Sequence, residues 1–475
     1  MTDLNDLQGN SKPEMRKKLF IATFGCQMND YDSLTMSRLL HNTHKPVDTP
    51  EEADLIIINT CSIREKAENK LYSLAGRYRH LKEINPDLKI AITGCVAQQE
   101  GARLLDRMPY VDIVLGPQGI YRLPSIVNQA GEKPGRICIN ELDPTFSIPL
   151  VRAHTAPPDQ VRASITIMQG CDNFCTYCIV PTVRGREISR PPEDIIEEIR
   201  QAVELGAREI ILLGQNVNSY GKKAGGRTLH GHPGFAELLE MVDSIRGVER
   251  LRFTTSHPRD LDYATARCFG TLRSLCEHIH LPVQSGATPV LKRMNRHYSR
   301  QEYLDKVSML KSECPEITIT TDLIVGFPGE TERDFEQTVS LLEEIRYDQL
   351  FVFKYSPRPG TPASRFPDQI PEEVKTRRIE TVLKIQEKIG LEQYARFEDT
   401  DVEILVESHG KEGSGDMQGR TRGNHVVHFP GTSDLLGKLV TVRIERACKH
   451  SLRGRLTACR ANGSDAAENP VQPAI

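Results

Sequence analysis

Gln169-Gly170-Cys171-Asp172-Asn173-Phe174-Cys175-Thr176-Tyr177-Cys178 sets three cysteines within eight residues, spaced CxxxCxxC. Thiolates bind soft metals, and three of them on one short loop converge on one compact inorganic object. A 4Fe–4S cluster has four irons and is usually held by four Cys thiolates. Three ligands from one loop leave one iron open to a ligand from outside the polypeptide. The run matches neither ferredoxin nor zinc-ribbon spacing. A zinc knuckle would need a fourth Cys or His nearby, and none follows before His230. A cluster is the expectation for Cys171, Cys175 and Cys178; a zinc knuckle and coincidental free thiols are the alternatives.

A second set is spread over the N-terminal part. Cys26, Cys61 and Cys95 stand in Gly25-Cys26-Gln27, Thr60-Cys61-Ser62 and Gly94-Cys95-Val96, 35 and 34 residues apart. Each follows an apolar, β-branched run: Leu19–Phe24, Asp54–Asn59 and Leu88–Thr93. Helical patterns lie between them at Asp30–Thr43 and Glu65–Ile84, and the helical Gln98–Arg107 precedes a fourth run, Val111–Leu115. Strand and helix alternating at this period imply a parallel sheet covered on both faces. Ligands bind such a sheet outside the carboxyl ends of its strands, so the three cysteines fall on one edge. They form a second three-thiolate site, or else three ordinary buried cysteines. Cys138 has no partner pattern and reads as structural.

Residues 142–160 hold four prolines without periodicity and read as a linker. Six further strands are expected at Ala163–Met168, Glu209–Leu213, Arg250–Thr254, His278–Pro282, Ile317–Val325 and Gln349–Tyr355. Helical patterns separate them at Pro192–Leu205, Gly234–Ser244, Asp260–Phe269, Pro289–Leu310 and Thr331–Ile345. Six βα units in a row suggest a complete or partial TIM-like barrel, with the CxxxCxxC loop on the rim where barrel chemistry sits. The other strand ends are polar and glycine-bearing: Gly214-Gln215-Asn216, Thr255-Ser256-His257, Val283-Gln284-Ser285-Gly286 and Gly326-Phe327-Pro328-Gly329-Glu330. These read as plain loop chemistry or as the lining of a shared pocket. A charged helix, Pro371–Phe397, leads out of the barrel.

Beyond Thr400 the pattern changes to short strands, Val402–Glu407, His425–Phe429 and Leu439–Arg446, with turns such as Gly413-Ser414-Gly415-Asp416. A small antiparallel, OB-like β-barrel is expected. Its last part is basic, with Lys438, Arg443, Arg446, Lys449, Arg453 and Arg455 against Glu445 alone. This is a candidate RNA-binding edge or a charged edge strand that guards against pairing. The fold class is thus α/β multidomain. Its expected divisions are a disordered lead over 1–17, an open parallel α/β domain over 18–141, a linker over 142–160, a partial (β/α)6 barrel over 161–398, a small β-barrel over 399–460 and a disordered tail over 461–475.

A hydrophobic content of 38% with 26% charged residues suits a soluble globular chain. A formal charge of −3 excludes a global basic field, so any contact with nucleic acid rests on a local patch. No apolar run reaches membrane-spanning length. Met1–Lys18 is polar, without an apolar signal region. The expected compartment is the cytoplasm, where 12 cysteines point to metal or redox chemistry rather than disulfides.

Taken together, several stretches resemble the radical S-adenosylmethionine (SAM) methylthiotransferases. They are Thr23-Phe24-Gly25-Cys26-Gln27-Met28-Asn29, Asn59-Thr60-Cys61-Ser62-Ile63-Arg64, Thr93-Gly94-Cys95-Val96-Ala97-Gln98 and the run from Gln169 to Cys178. Val183-Arg184-Gly185-Arg186-Glu187-Ile188-Ser189-Arg190 and Asp322-Leu323-Ile324-Val325-Gly326-Phe327-Pro328-Gly329-Glu330-Thr331 complete the set. The resemblance spans residues 18–459 and is nearest to the branch acting on isopentenyladenosine in tRNA. It implies a methylthiotransferase domain, a radical SAM barrel and a C-terminal TRAM domain. It also implies that Cys171, Cys175 and Cys178 hold a 4Fe–4S cluster whose open iron chelates SAM, and that Cys26, Cys61 and Cys95 hold an auxiliary 4Fe–4S cluster that handles sulfur.

The implied reaction converts C–H to C–SCH3 at carbon 2 of N6-isopentenyladenosine, tRNA position 37. One SAM is the methyl donor and another the source of a 5′-deoxyadenosyl radical. Implied partners are that tRNA, SAM, a reduced electron donor of flavodoxin or ferredoxin type, and a sulfur donor or iron–sulfur assembly proteins. Gly214, Gln215, Asn216, Ser256 and Gln284 are the candidate SAM-binding residues. Gly214-Gln215-Asn216 departs from the Gly-Gly-Glu common in the wider superfamily. Arg184, Arg186 and Arg190 are candidates to hold phosphate or the SAM carboxylate, or to order their loop. No catalytic residue is assigned beyond the six cysteines. The rival readings are sister methylthiotransferases for threonylcarbamoyladenosine or a ribosomal-protein aspartate, and a non-enzymatic iron–sulfur or RNA-binding protein.

Overall fold

Successive residues of the early apolar runs are buried on opposite faces. Leu55, Ile57, Ala91, Ile113 and Leu115 enter one hydrophobic cluster, while Ile56, Ile58, Ile90, Ile92 and Val114 enter another. A sheet covered on both faces needs such unbroken apolar strands. The computed structural model describes residues 16–62, 65–132, 135–153, 161–223, 227–228, 232–411 and 415–459. The expected lead, the tail, Ile63-Arg64, residues 154–160, His230 and Gly413-Ser414 lie wholly or mostly outside the described residues.

The chain forms two units. The first takes residues up to 154 together with Gln169–Cys171 and Ile179–Ile188. Its strands are β1 (Lys17–Thr23), β2 (His44–Pro46), β3 (Leu55–Thr60), β4 (Lys89–Gly94), β5 (Ile113–Leu115) and β6 (Ile137–Ile139), in the order β2-β1-β3-β4-β5-β6. Every neighbouring pair is parallel. The helices are α1 (Gln27–Leu39), α2 (Glu65–Ile84), α3 (Cys95–Glu100), α4 (Ala102–Arg107), α5 (Leu123–Glu132) and α6 (Val180–Arg184). The edge strands β2 and β6 were not expected, because three residues carry too little pattern. The helix expected over 98–107 is two helices that meet at Gly101. Part of the expected linker packs on this unit: the Phe146 ring lies 5.6 Å from that of Tyr121, and Ile148 is buried.

The second unit holds Thr155–Met168, Asp172–Cys178 and everything from Ser189 on. Its barrel strands are β7 (Arg162–Thr166), β8 (Glu209–Leu213), β9 (Arg250–Thr254), β10 (His278–His280), β11 (Thr318–Val325) and β12 (Gln349–Lys354). They form two parallel three-stranded sheets, β9-β8-β7 and β10-β11-β12, linked by a bridge between Leu251 and Leu275. Around them lie α7 (Pro192–Glu204), α8 (Phe235–Asp243), α9 (Tyr263–Thr271), α10 (Thr288–Arg293), α11 (Arg300–Glu313), α12 (Glu332–Ile345) and α13 (Glu372–Ala395). The helix expected over 289–310 is broken. Asn295 and His297 take φ of 60° and 58°, and Ser299 caps a new helix through a capping box with Glu302. That break matters for the site below.

The C-terminal strands are β13 (Asp401–His409), β14 (Asp416–Thr421), β15 (Val426–Pro430), β16 (Leu439–Ala447) and β17 (Leu452–Cys459), closed in the order β13-β14-β15-β17-β16. The barrel is not wholly antiparallel as expected, since β15 and β17 pair in parallel. β14 and β17 went unseen because Gly, Arg and Gln interrupt their apolar alternation. Within this unit the small barrel docks on the amino-terminal ends of the large barrel's strands. Arg252 donates to Thr421 O at 2.7 Å and Arg422 O at 2.8 Å, and shares buried Glu209 with Arg162. Charges this deep persist only when paired and hydrogen-bonded.

Candidate cluster and cofactor sites

The first unit brings Cys26, Cys61 and Cys95 to one place. Cys26 caps α1, Cys61 follows β3, and Cys95 opens α3 directly after β4. Two of the three therefore stand at helix N-termini, where backbone N–H groups favour a thiolate. Buried amides fix the geometry: Asn29 Nδ2 donates to Asn59 Oδ1 at 3.0 Å and Thr60 O at 3.1 Å, and Asn59 Nδ2 donates to Asn29 O at 2.8 Å. These ties explain why asparagines accompany both cysteine motifs. Gly25, at φ +142°, leaves room that a Cβ would deny, 2.4 Å from the Cβ of Cys61.

The Cys61 thiol lies within hydrogen-bonding reach of both Cys26 and Cys95. Hydrogen bonding with Cys61 holds Cys26 down at about 6 and Cys95 at about 7, against the burial that raises both, and the same contacts push Cys61 up. The Arg184 guanidinium lowers Cys26 and Cys95 further by its charge. In this conformation, no three His, Cys, Asp or Glu side chains among the described residues close as donors to a single metal ion. Cys26 and Cys95 are instead the thiols disposed to give up protons, as a cluster's ligands must, while Cys61 between them keeps its own.

Arg184 is a candidate for phosphate or a SAM carboxylate, or for ordering its loop, and its contacts are of the ordering kind. α6 packs against α3, with Ile179 and Val183 on Cys95, and carries Arg184 into the first unit. There its Nη2 lies 2.6 Å from Asp32 Oδ2, both side chains being almost fully buried. Its Nη1 is buried without a hydrogen-bond partner of its own, while the guanidinium lies within hydrogen-bonding reach of the Cys95 thiol. Arg190 is also buried, with Nη1 2.6 Å from Glu198 Oε2. Arg186 remains exposed.

The CxxxCxxC loop is divided between the units. Cys171 belongs with the first, where its N–H donates to Gly185 O at 3.2 Å. Cys175 and Cys178 belong with the barrel unit, and Cys178 N–H donates to Cys175 O at 3.0 Å. Cys175 is buried against Arg296, whose Nη1 lies 3.4 Å from its Sγ. Arg296 went unseen in the sequence because it sits where a continuous helix was expected. Tyr177 Oη also accepts from Arg296, at 3.4 Å, and burial pushes that phenol up.

At the carboxyl ends of β8 to β10, the candidate SAM residues are held by backbone pairing. Gly214 N–H donates to Thr254 O at 3.1 Å, and Gln284 N–H to Asp322 O at 2.9 Å. Asn216 is committed to Asp260 Oδ2 at 2.7 Å. Gln215 is only half-buried. Ser256 Oγ is buried without a partner, as are His257 Nε2 and both amide atoms of Asn218. Such orphaned atoms suit a polar ligand. His257 and Asn218 join the candidates; buried orphan atoms are visible only in three dimensions.

The basic edge is less bare than its sequence. Lys438 pairs with Asp434, Arg443 with Asp401, Lys449 with Glu387, Arg453 with Asp416 and Arg455 with Glu445. Local counting missed the acids that arrive from other elements. Across β16 and β17, Arg443 stands opposite Arg455 and Arg446 opposite Arg453. Facing like charges repel, and a polyanion relieves that repulsion.

Residues 18–116 match the uncharacterized protein family UPF0004, residues 165–342 the radical SAM superfamily, and residues 396–457 the TRAM domain. The chain is 47% identical over 439 residues to the tRNA-2-methylthio-N(6)-dimethylallyladenosine synthase of Syntrophotalea carbinolica, covering 92% of this chain and 99% of that one. It is 49% identical over 447 residues to the protein of the same name in Carboxydothermus hydrogenoformans, covering 93% and 99%. Among solved structures it is similar in fold to the radical SAM methyltransferase TsrM of Kitasatospora setae. The TM-score is 0.57 at 12% identity, over 73% of this chain and 75% of that one.

Proposed function

Because the chain belongs to the family of tRNA-2-methylthio-N(6)-dimethylallyladenosine synthases, we propose that it replaces the C2 hydrogen of N6-isopentenyladenosine beside the anticodon with a methylthio group. One observation carries this reading beyond a generic radical SAM enzyme: the convergence of Cys26, Cys61 and Cys95 from three separate strand ends. Cleaving SAM needs only the CxxxCxxC loop, whereas inserting sulfur needs a second inorganic site.

The residues fit two 4Fe–4S clusters. Cys171, Cys175 and Cys178 would hold one, and Cys26, Cys61 and Cys95 the other. When bound, these groups and SAM supply the electron, the carbon radical, the sulfur and the methyl group. An aromatic C–H bond is neither acidic nor readily displaced, so the polypeptide's own work is to bind, orient and exclude water. Arg296 sets a buried cation beside Cys175. Asn218, Ser256 and His257 offer buried polar atoms to the polar parts of SAM. Asn29 and Asn59 lock the strand ends that carry Cys26 and Cys61.

The target base must leave its stack to be reached, at a cost of a few kcal/mol that an anticodon loop keeps low. The β16–β17 hairpin supports phosphate contacts through Arg446 and its neighbours. Electron supply by a flavodoxin- or ferredoxin-type donor and sulfur supply by iron–sulfur assembly proteins complete the proposal. Among the described residues, no helix is long and apolar enough to cross a membrane, and a tRNA substrate supports a cytoplasmic location.

The deciding experiment is nucleoside analysis of tRNA from a strain lacking this chain. Isopentenyladenosine should accumulate without its methylthio derivative, and the plasmid-borne gene should restore it. Loss of a methylthio group from threonylcarbamoyladenosine instead would move the chain to the sister branch.

A further inference from the structure

The segment after the CxxxCxxC loop does not stay with the barrel unit. Ile179–Ile188 folds with the first unit and delivers Arg184 beside the cysteine trio. A guanidinium this deep is costly unless compensated. Asp32 compensates one nitrogen, at 2.6 Å. Nη1 is shut off from water with no partner of its own, and the Cys95 thiol is the sulfur within the guanidinium's hydrogen-bonding reach. The remaining anionic chemistry around Arg184 is that of thiolates. A cluster held by three of them carries net negative charge, and its sulfurs accept hydrogen bonds.

We propose that Arg184 is a positioning residue for the group held by Cys26, Cys61 and Cys95. It is fixed by Asp32 and donates from Nη1 to a sulfur of that group, favouring its reduced, more negative form. This rests on the reading that the trio binds a 4Fe–4S cluster. Reduction adds one electron, supplied in the assay by dithionite, and no bond is made or broken. A nearby buried cation stabilises the added charge, while the Asp32 carboxylate paired with that cation opposes it. The chain thus places the field that tunes one cysteine trio in a segment continuous with the other.

The test uses the full-length chain carrying Cys171→Ala, Cys175→Ala and Cys178→Ala, reconstituted anaerobically so that only the trio can hold iron. Redox titration followed by electron paramagnetic resonance reads its midpoint potential. Added to this background, Arg184→Gln should keep iron and sulfide. It should disfavour reduction about tenfold, which is about 59 mV more negative for one electron. Arg184→Lys should recover most of that shift. Asp32→Asn, which removes the opposing anion but keeps an acceptor, should shift the potential the other way. An unmoved potential in Arg184→Gln overturns the proposal, as does loss of iron from both the Gln and Lys variants, which would mark a purely structural role. If the background chain itself binds no iron, the cluster reading fails and the proposal with it. Those results are distinguishable because iron content is measured before any titration.

Discussion

Arg296 holds Nη1 3.4 Å from Sγ of Cys175 while Nη2 donates to Pro282 O at 2.7 Å and Nε to Tyr298 Oη at 2.9 Å. The guanidinium thus ties the CxxxCxxC loop to the end of β10. Arg296→Ala should cost about 3 kcal/mol, because the buried acceptors lose their donor, and should suppress formation of 5′-deoxyadenosine from SAM. Arg296→Lys keeps the charge but not the fork, and should fall between. Thermal unfolding and product analysis check both, and a wild-type rate of SAM cleavage in the Ala variant would refute the role.

The two cysteine sets should separate by function. Cys26→Ala is expected to keep SAM cleavage and lose sulfur insertion, since Cys26 belongs only to the first trio. The measurement pairs 5′-deoxyadenosine yield with methylthio-nucleoside yield under a strong reductant. Loss of SAM cleavage with the CxxxCxxC cluster still present would show that the sets do not divide the work.

Binding of tRNA should lose salt dependence when the β16–β17 hairpin is altered. Arg446 faces Arg453 across the strands, and among the described residues no acid pairs with it. Arg446→Gln should reduce the slope of log affinity against log salt by about 0.7–0.9, the value for one phosphate contact. Lys449→Gln, which removes a cation paired 2.8 Å from Glu387, should change it less. Equal and negligible changes in both variants would place the RNA surface elsewhere.

Acidification should loosen the join between the small and large barrels. Burial, reinforced by Arg252, His280, His425 and Arg420, holds His278 well below the ordinary histidine value. Just below the ordinary value of about 6.5 the unfolded chain therefore binds the proton that the folded chain refuses. Stability is fully present above about pH 6.5 and declines as pH falls below it. Urea midpoints at two pH values should show this decline, and His278→Gln should flatten it. An unchanged pH dependence in the variant would assign the effect to other groups.

Much of the fold was legible in the sequence. The six barrel strands and α2 lie close to where apolar runs and periodicity put them, because those signals are local and strong. The misses share a cause. β2 and β6 are too short to show a pattern, β14 and β17 lack clean alternation, and the breaks at Gly101 and at Asn295–His297 occur inside otherwise helical runs. The last of these hid Arg296, which reaches Cys175 only because the chain leaves the helix there.

The sequence by itself determined that three cysteines share one loop and that three more recur at βαβ intervals. Both facts are set by covalent spacing and by a repeated local unit. Only the tertiary structure decided which charges serve them. Arg184, six residues after Cys178, crosses to the other trio and finds Asp32, 152 positions earlier in the chain. The cations of the basic edge likewise meet acids from α13 and distant strands. Charge pairing acts through space, and a linear sequence carries no signal for which distant side chains will share a buried site.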